Sequence, residues 1–484
     1  QIFYIRSVLM KRKRYVSAFL AAALIFSVSG CNKSEKADNK KNVVLKYVMC
    51  GPGEQEDSEK VWNAFNEKLA EKLPGVSVDF EIFSASDYAQ QFMLMQTSNE
   101  QIDIANTYGL TFAKEVKNKT FAPMDELLEK YGSGVKAELP DWLWDFGRVD
   151  GEIYQIPSYQ MMCVPYGFRL QKEYADKYID KAALERELYS SEHMTDGVYA
   201  VLEDYLKKMY DAGKIYLGVN HWLNSKGTES VIGNYVIDVD DPECKVYYQF
   251  ESEESKKDYA RKADWYKKGY IRKDSLSAND QKQKTGLMEG GYVLWSSNYT
   301  PWTTANESKE YGIEIENIPF SEDYYIPYQN AAGGTAIMES SEHKEESMKL
   351  LNLLQSDKEL YNLLTFGIEG EHYTKTGDDR IETPYESGQG TSDDKYGLWK
   401  WIIGNTHLAY QTQAEPDGYK EWVFDEVNST DKHSRLMGFV PDTSKIESSI
   451  AQVNAVKSEY FGSLASGSMS DWESTYNEWM EKVK

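Results

Sequence analysis

From residue 43 onward the chain switches between two periodicities. "VVLKYVMC" (43–50) is a short β-rich run closed by "GPG". In "EDSEKVWNAFNEKLAEKL", Val61, Phe65 and Leu69 recur every four residues with Trp62 beside them, which makes one apolar face of a helix. "PGVSVDFEIF" returns to alternation, "SDYAQQFMLMQTSNEQI" to a helix and "DIANTY" to a strand end. Strand–helix–strand–helix–strand predicts an α/β lobe with a parallel sheet. Ligands of such sheets sit outside the carboxyl ends of the strands, here the loops "CGPGEQ" and "NTYGL".

Farther along, "VDGEIYQIPSYQMMCVPYGFRL" predicts a hairpin and then a Pro-punctuated extended segment able to carry the chain into another lobe. The helices "VLEDYLKKMYDAG" and "ESKKDYARKADWYKKGYI" flank "GNYVIDVDDPECKVYYQF", a hairpin turning at Asp240–Glu243. "GGYVLWSSNYTPW" is a strand emptying into a polar, aromatic loop, and "IPYQNAAGGTAIM" is a second extended crossing. "SEHKEESMKLLNLLQSDKELYNLLTFG" follows as a helical pair, and "DWESTYNEWMEKV" is an amphipathic tail. So long a chain exceeds one core, and two or three domains are expected.

The first thirty residues follow a different logic. Met10 reads as a start, the basic run Lys11–Arg14 follows it, and the apolar stretch Tyr15–Val28 is short of the roughly 20 residues of a membrane span. Basic head, apolar middle and small residues describe a secretory leader. "NKSEKADNKKN" after Cys31 is polar, charged and aperiodic, as a flexible tether is. The leader holds five Lys/Arg and no acid, so its removal takes the net charge from −24 to −29. That acidity argues against nucleic acid or an anionic membrane as partner.

Cysteine and metal chemistry are sparse. Cys50, Cys163 and Cys244 show no C-x-x-C spacing, and three separate thiols are expected rather than a disulfide framework or a zinc module. "DVDDP" lacks the sixth-place Gly and twelfth-place acid of a calcium loop and reads as a polar turn. No G-x-x-x-x-G-K-[ST] occurs. No cofactor and no metal site are expected.

The segment Val28-Ser29-Gly30-Cys31 resembles the bacterial lipoprotein box, in which the cysteine is acylated. With "DVDDPECKVYYQFESEESK", "WYKKGYIRKD", "EGEHY" and "GFVPDTSKIESSIAQVNAVKSEYFGSLASGS", the chain from 28 to 484 resembles the extracellular solute-binding lipoproteins of carbohydrate ABC importers, the aldouronate- and oligosaccharide-binding subgroup. The resemblance implies an α/β, two-lobe, periplasmic-binding-protein-like fold, with a ligand cleft between lobes joined by hinge strands. It implies capture of an oligosaccharide and its delivery to permease subunits, by a monomer anchored through Cys31 to the outer face of the cell membrane. The expected layout is a leader 1–30, a tether 31–42, the first lobe 43–157, the second lobe 158–327, a return to the first lobe 328–370, and second lobe plus helical tail 371–484. A binding protein for a peptide or other small solute, and a surface glycan-degrading enzyme, are the alternatives.

A sugar offers apolar C–H faces and a rim of hydroxyls, so its site calls for aromatic platforms and bidentate polar groups. Trp295 and Asn298 stand at a strand end, and Tyr108 lies in a first-lobe loop. Tyr159 lies in the first crossing, and Tyr328 and Asn330 in the second. Trp222 and Trp399, with Trp401, are aromatic wall candidates. Arg169 is the best candidate for a basic residue in the cleft. In "FGIEGEHY" (366–373), Glu369 and Glu371 would suit the paired carboxyls of a glycosidase. With 78 acids in the chain some such pair is unavoidable, and Glu371 and His372 read as ligand-gripping groups on a loop, with no catalytic residue expected.

Overall fold

The computed structural model describes residues 42–163, 165–214, 226–277, 294–328, 333–385, 389–439, 441, 443 and 445–484. The alternating runs of the amino-terminal half form β1 (Val43–Gly51), β2 (Val76–Ser84) and β3 (Ile104–Asn106), all parallel, with Val43 opposite Val76 and Tyr47 opposite Ile104. Between the first two lies α1 (Ser58–Lys72), whose Val61, Phe65 and Leu69 are fully buried, as their spacing predicts. The extended segment after the first lobe begins at β4 (Ile156–Pro157). The sheet closes with β11 (Gly334–Ile337), antiparallel to both β3 and β4, in the order β2-β1-β3-β11-β4.

A second body surrounds β5 (Tyr166–Gln171). Strand β9 (Leu294–Asn298) and strand β10 (Ile315–Pro319) flank it, both antiparallel. Helix α3 (Asp196–Asp211) packs its Leu202, Tyr205, Leu206 and Met209 against Phe168 and Leu170 of that sheet. A three-stranded sheet of β6 (Thr228–Ile232), β7 (Tyr235–Asp238) and β8 (Tyr247–Tyr248) adjoins α4 (Glu253–Lys268). The tail helices α7 (Glu447–Ala465) and α8 (Trp472–Val483) bury Leu464, Tyr476 and Trp479 in one cluster with Tyr248, Phe250 and Tyr259. In the β7–β8 turn the Asp241 carboxylate accepts the N–H groups of Glu243 and Lys245, both at 2.9 Å. Those two bonds hold its pKa below the usual carboxylate range.

Among the described residues, the stretches 158–163, 320–328 and 428–439 connect the two bodies as a first, second and third crossing. One boundary differs from the sequence expectation. Tyr373, Ile381, Tyr396, Ile402, Trp422 and Val427 are buried in the core of the first lobe, so the stretch from 371 to 427 belongs there and not to the second lobe. Apolar periodicity marks these residues as buried but cannot say against which core. Among the described residues no helix is long and apolar enough to cross a membrane. The leader, the Cys31 box and the tether up to residue 41 lie outside the described residues. Cys50 and Cys163 are buried and Cys244 is half-buried, all as free thiols; burial pushes the first two up to about 11.

Candidate functional site

A cleft of about 510 Å³ lies where the carboxyl end of β3 faces the second lobe, within the range of small-molecule sites. The first lobe supplies Tyr108, Phe112, Phe146, Arg148 and Gln155. The second lobe and the crossings supply Val231, Gly233, Tyr328, Gly438 and Phe439. The floor is pinned by a polar knot: Thr107 Oγ1 donates to Gln155 Oε1, Gln155 Nε2 donates to the Phe146 carbonyl at 2.8 Å, and the Gly334 N–H donates to Thr107 Oγ1 at 2.8 Å. Gly333 takes a left-handed φ of +79°, and a Cβ there would meet the Tyr108 nitrogen at 2.7 Å; the close passage of the second crossing beneath Tyr108 requires glycine. Arg148, the cationic group among the described lining residues, has Asp145 at 3.4 Å and donates to the Gly151 carbonyl at 3.0 Å, so its charge is largely balanced.

Beside Tyr108 the first lobe carries an array of rings. The Tyr108 ring meets Trp401 edge-on at 4.9 Å, and Trp401 stacks on Trp399 at 5.5 Å with an interplanar angle of 18°. Both tryptophans are half-buried. The Trp401 carbonyl accepts from Ser158 Oγ of the first crossing, the Ile402 carbonyl accepts from Asn106 Nδ2 at 3.1 Å, and Trp399 Nε1 donates to the Gly390 carbonyl at 3.0 Å. These bonds fix the rings against the sheet end while leaving part of their area open, the arrangement that receives an apolar ligand face.

The crossings are tied together at two points. Asn428 accepts the Met162 N–H at 2.9 Å and donates to the Gln160 carbonyl at 2.6 Å, linking the third crossing to the first. Glu229 on β6, only 4 % exposed, accepts the Tyr328 N–H at 2.7 Å, the Tyr325 O–H at 2.7 Å and the Ser434 O–H at 2.6 Å, linking the second and third crossings to the second lobe. Burial pushes the Tyr325 phenol up; the Ser434 hydroxyl opposes that rise and the Glu229 carboxylate adds to it, so the phenol remains a donor. The Tyr328 hydroxyl donates to the Val231 carbonyl at 2.6 Å, which sets that ring into the cleft wall.

Of the residues singled out from sequence, Tyr108 and Tyr328 come together in the cleft, and Trp399 stands in the adjoining ring array. Trp222 and Asn330, and the side chain of Trp295, lie outside what the structure describes. Asn298 is exposed at the end of β9, its carbonyl taken by Arg169. Four expectations are corrected. Tyr159 is buried between Trp142 and Phe424 and packs into the core rather than lining the cleft, because rings from two distant segments enclose it. Arg169 is fully buried on the central strand, held by Glu307, Asn317 and the Asn298 carbonyl, and is no cleft cation. Glu371 is a surface partner of Lys60, and Glu369 of Lys375 at 3.1 Å, and neither carboxylate lines the cleft described above. His372 is buried with both ring nitrogens engaged: Nδ1 accepts the Ile368 N–H at 2.9 Å, which leaves Nε2 to donate to Asp57 at 3.1 Å. "FGIEGEHY" is therefore a loop clip. His372→Ala is expected to lower stability by about 2 kcal/mol in thermal unfolding while ligand affinity measured by titration calorimetry stays at the wild-type value.

Phe112, Phe146, Gln155 and Phe439 escape the sequence reading. Phe439 alone left a signal there, an aromatic residue after glycine in "GFVPDTS".

Comparison with known proteins agrees with this architecture. A carbohydrate ABC transporter substrate-binding protein of Streptococcus pneumoniae is 22 % identical over 496 residues, covering 98 % of this chain and 94 % of its own. The crystal structure of the N-glycan transport solute-binding protein NgtS of the same organism superposes with a TM-score of 0.71 at 21 % identity, over 91 % of this chain and 94 % of that one. The fold is that of the solute-binding proteins. An extracellular solute-binding protein of Bifidobacterium longum subsp. infantis extends the likeness, with a TM-score of 0.57 at 16 % identity over 93 % of this chain and 96 % of that one. A family model described as a domain of unknown function (DUF3502) matches residues 435–484. In this solute-binding-protein fold that match spans the exit of the third crossing and both tail helices.

Proposed function

We propose that this chain is the substrate-binding component of a carbohydrate ABC importer, capturing an oligosaccharide between its lobes and delivering it unchanged to the permease. The observation that carries the reading is the inter-lobe cleft itself, walled by aromatic rings from both sides, Tyr108 and Phe146 from one and Tyr328 from the other. Ligand contacts to both walls exist together only when the lobes approach, so binding shifts the population toward the closed form. The ligand is a neutral oligosaccharide, since among the described lining residues Asp145 and Arg148 carry opposite charges beside one another. Tyr108, Trp399 and Trp401 stack on sugar faces; Gln155 and Thr107 hold the floor. Acylation at Cys31 and the tether that follows it anchor a monomer to the outer face of the cell membrane.

NgtS has been crystallised with Man1GlcNAc and with Man5GlcNAc, so both belong in a test panel beside xylo-, gluco- and galacto-oligosaccharides. A bound member at about 100 times its dissociation constant is expected to stabilise the protein by about 2.7 kcal/mol. Small-angle scattering should show compaction, and the sugar should be recovered intact. Release of shortened sugars, or indifference to the whole panel, overturns the reading.

A further inference from the structure

The region matched by the family model of unknown function contains the third cleft-facing element of the second lobe. Ten large apolar side chains are exposed among the described residues, and two of them line the cleft. One is Tyr108 of the first lobe, 36 % exposed; the other is Phe439, 47 % exposed, from the far side. We propose that Phe439, presented on the turn 436–439, is the second lobe's stacking platform for a sugar ring, and that the matched segment 435–484 therefore belongs to the ligand site as well as to the scaffold.

The backbone holds this turn in place. At its base Ser434 Oγ is donated to the buried Glu229 carboxylate and accepts the Leu436 N–H at 3.0 Å. The Phe439 N–H closes the turn on the Leu436 carbonyl at 2.8 Å. Gly438 supplies the left-handed φ of +74° that turns Phe439 outward. A Cβ on Gly438 would stand 3.9 Å from the Asp145 carbonyl, so the turn reaches across to the first-lobe wall. On the carboxyl side the N–H groups of Ile446 and Glu447 bond to the Thr443 carbonyl at 2.9 and 3.0 Å, leading into α7. That helix and α8 are clamped on the second lobe by Tyr460, Leu464 and Trp479. The Phe439 ring leans on Tyr328, with centroids 6.4 Å apart and planes inclined at 54°. Its other face has no ring partner among the described residues. An apolar ring kept in water at the mouth of a cleft, on a turn fixed at both ends, is placed to lose that exposure to a ligand. A pyranose, with an apolar C–H face, fits it, and Tyr108 opposite offers the second ring.

The inference rests on the oligosaccharide reading, and the experiment separates the two. Full-length protein is titrated by calorimetry with the tightest-binding member of the panel above. Phe439→Ala is expected to weaken binding about tenfold or more, with the thermal midpoint of the free protein unchanged because the ring is exposed. Phe439→Trp should retain wild-type affinity, since it restores a stacking face. Ile446→Ala, an exposed apolar change seven residues beyond the turn's end, should leave affinity as it was. If wild type binds and Phe439→Ala binds equally well, the platform is wrong and the transport reading stands. If wild type binds no member of the panel, both fall together.

Discussion

Arg169→Ala is expected to destabilise the protein by about 3–5 kcal/mol, the largest single effect of any change named here. The guanidinium is fully buried on the middle strand of the β9-β5-β10 sheet and binds three oxygens at once: Glu307 at 2.7 Å, Asn317 at 2.7 Å and the Asn298 carbonyl. Each comes from a different element, the helix after β9, β10 and the end of β9. Truncation removes the charge that pairs Glu307 and strips the donor from the Asn317 side-chain oxygen and the Asn298 carbonyl. Lysine is not a remedy, because one ammonium cannot reproduce the planar fork that reaches three acceptors in three directions. Arg169→Lys should therefore recover only part of the loss. Urea unfolding monitored by circular dichroism checks both variants; equal midpoints for wild type and Arg169→Ala would mean that the guanidinium is not the keystone of this lobe.

Glu229 makes a sharper test, because two substitutions at one position should part company. Glu229→Ala leaves the Tyr328 N–H and the Tyr325 and Ser434 hydroxyls without their acceptor. A cost of about 3 kcal/mol is expected. Ligand affinity should also drop about tenfold, since the same carboxylate orients the crossing that carries Tyr328 and the base of the turn that carries Phe439. Glu229→Gln should remain near wild type. Its carbonyl oxygen can accept the Tyr328 N–H, and its amide can donate to the two hydroxyls, which rotate to accept. Parallel calorimetry and thermal unfolding distinguish this from a need for charge: a glutamine variant as damaged as the alanine variant would mean that the negative charge, not the hydrogen-bond pattern, holds the crossings.

The amino-terminal lobe was legible because its information is local. Val61, Phe65 and Leu69 fall on one helix face whatever lies opposite, and alternation in "VSVDFEIF" specifies a strand whatever its neighbour. Position at the carboxyl end of β3 likewise pointed to the loop of Tyr108, which lines the cleft. The same reasoning failed at "FGIEGEHY". Side-chain chemistry suited to gripping a ligand is equally suited to closing a loop, and only the arrival of Asp57 and Lys60, more than 300 residues earlier in the chain, decided between them.

Legible along the chain alone were the kind of element in its periodic stretches, the α/β class and an acidic, aromatic-rich character, with the two-lobe form implied by the resemblance. Periodicity and composition are properties of neighbouring residues, and they survive without knowledge of the fold. Tertiary structure alone decided which polar and aromatic side chains meet: that 371–427 joins the first core, that Arg169 is enclosed, and that Tyr108, Tyr328 and Phe439 face one cleft. Those outcomes depend on contacts between segments up to some hundreds of residues apart, set by how three crossings return the chain to each lobe. No window along the sequence contains that return.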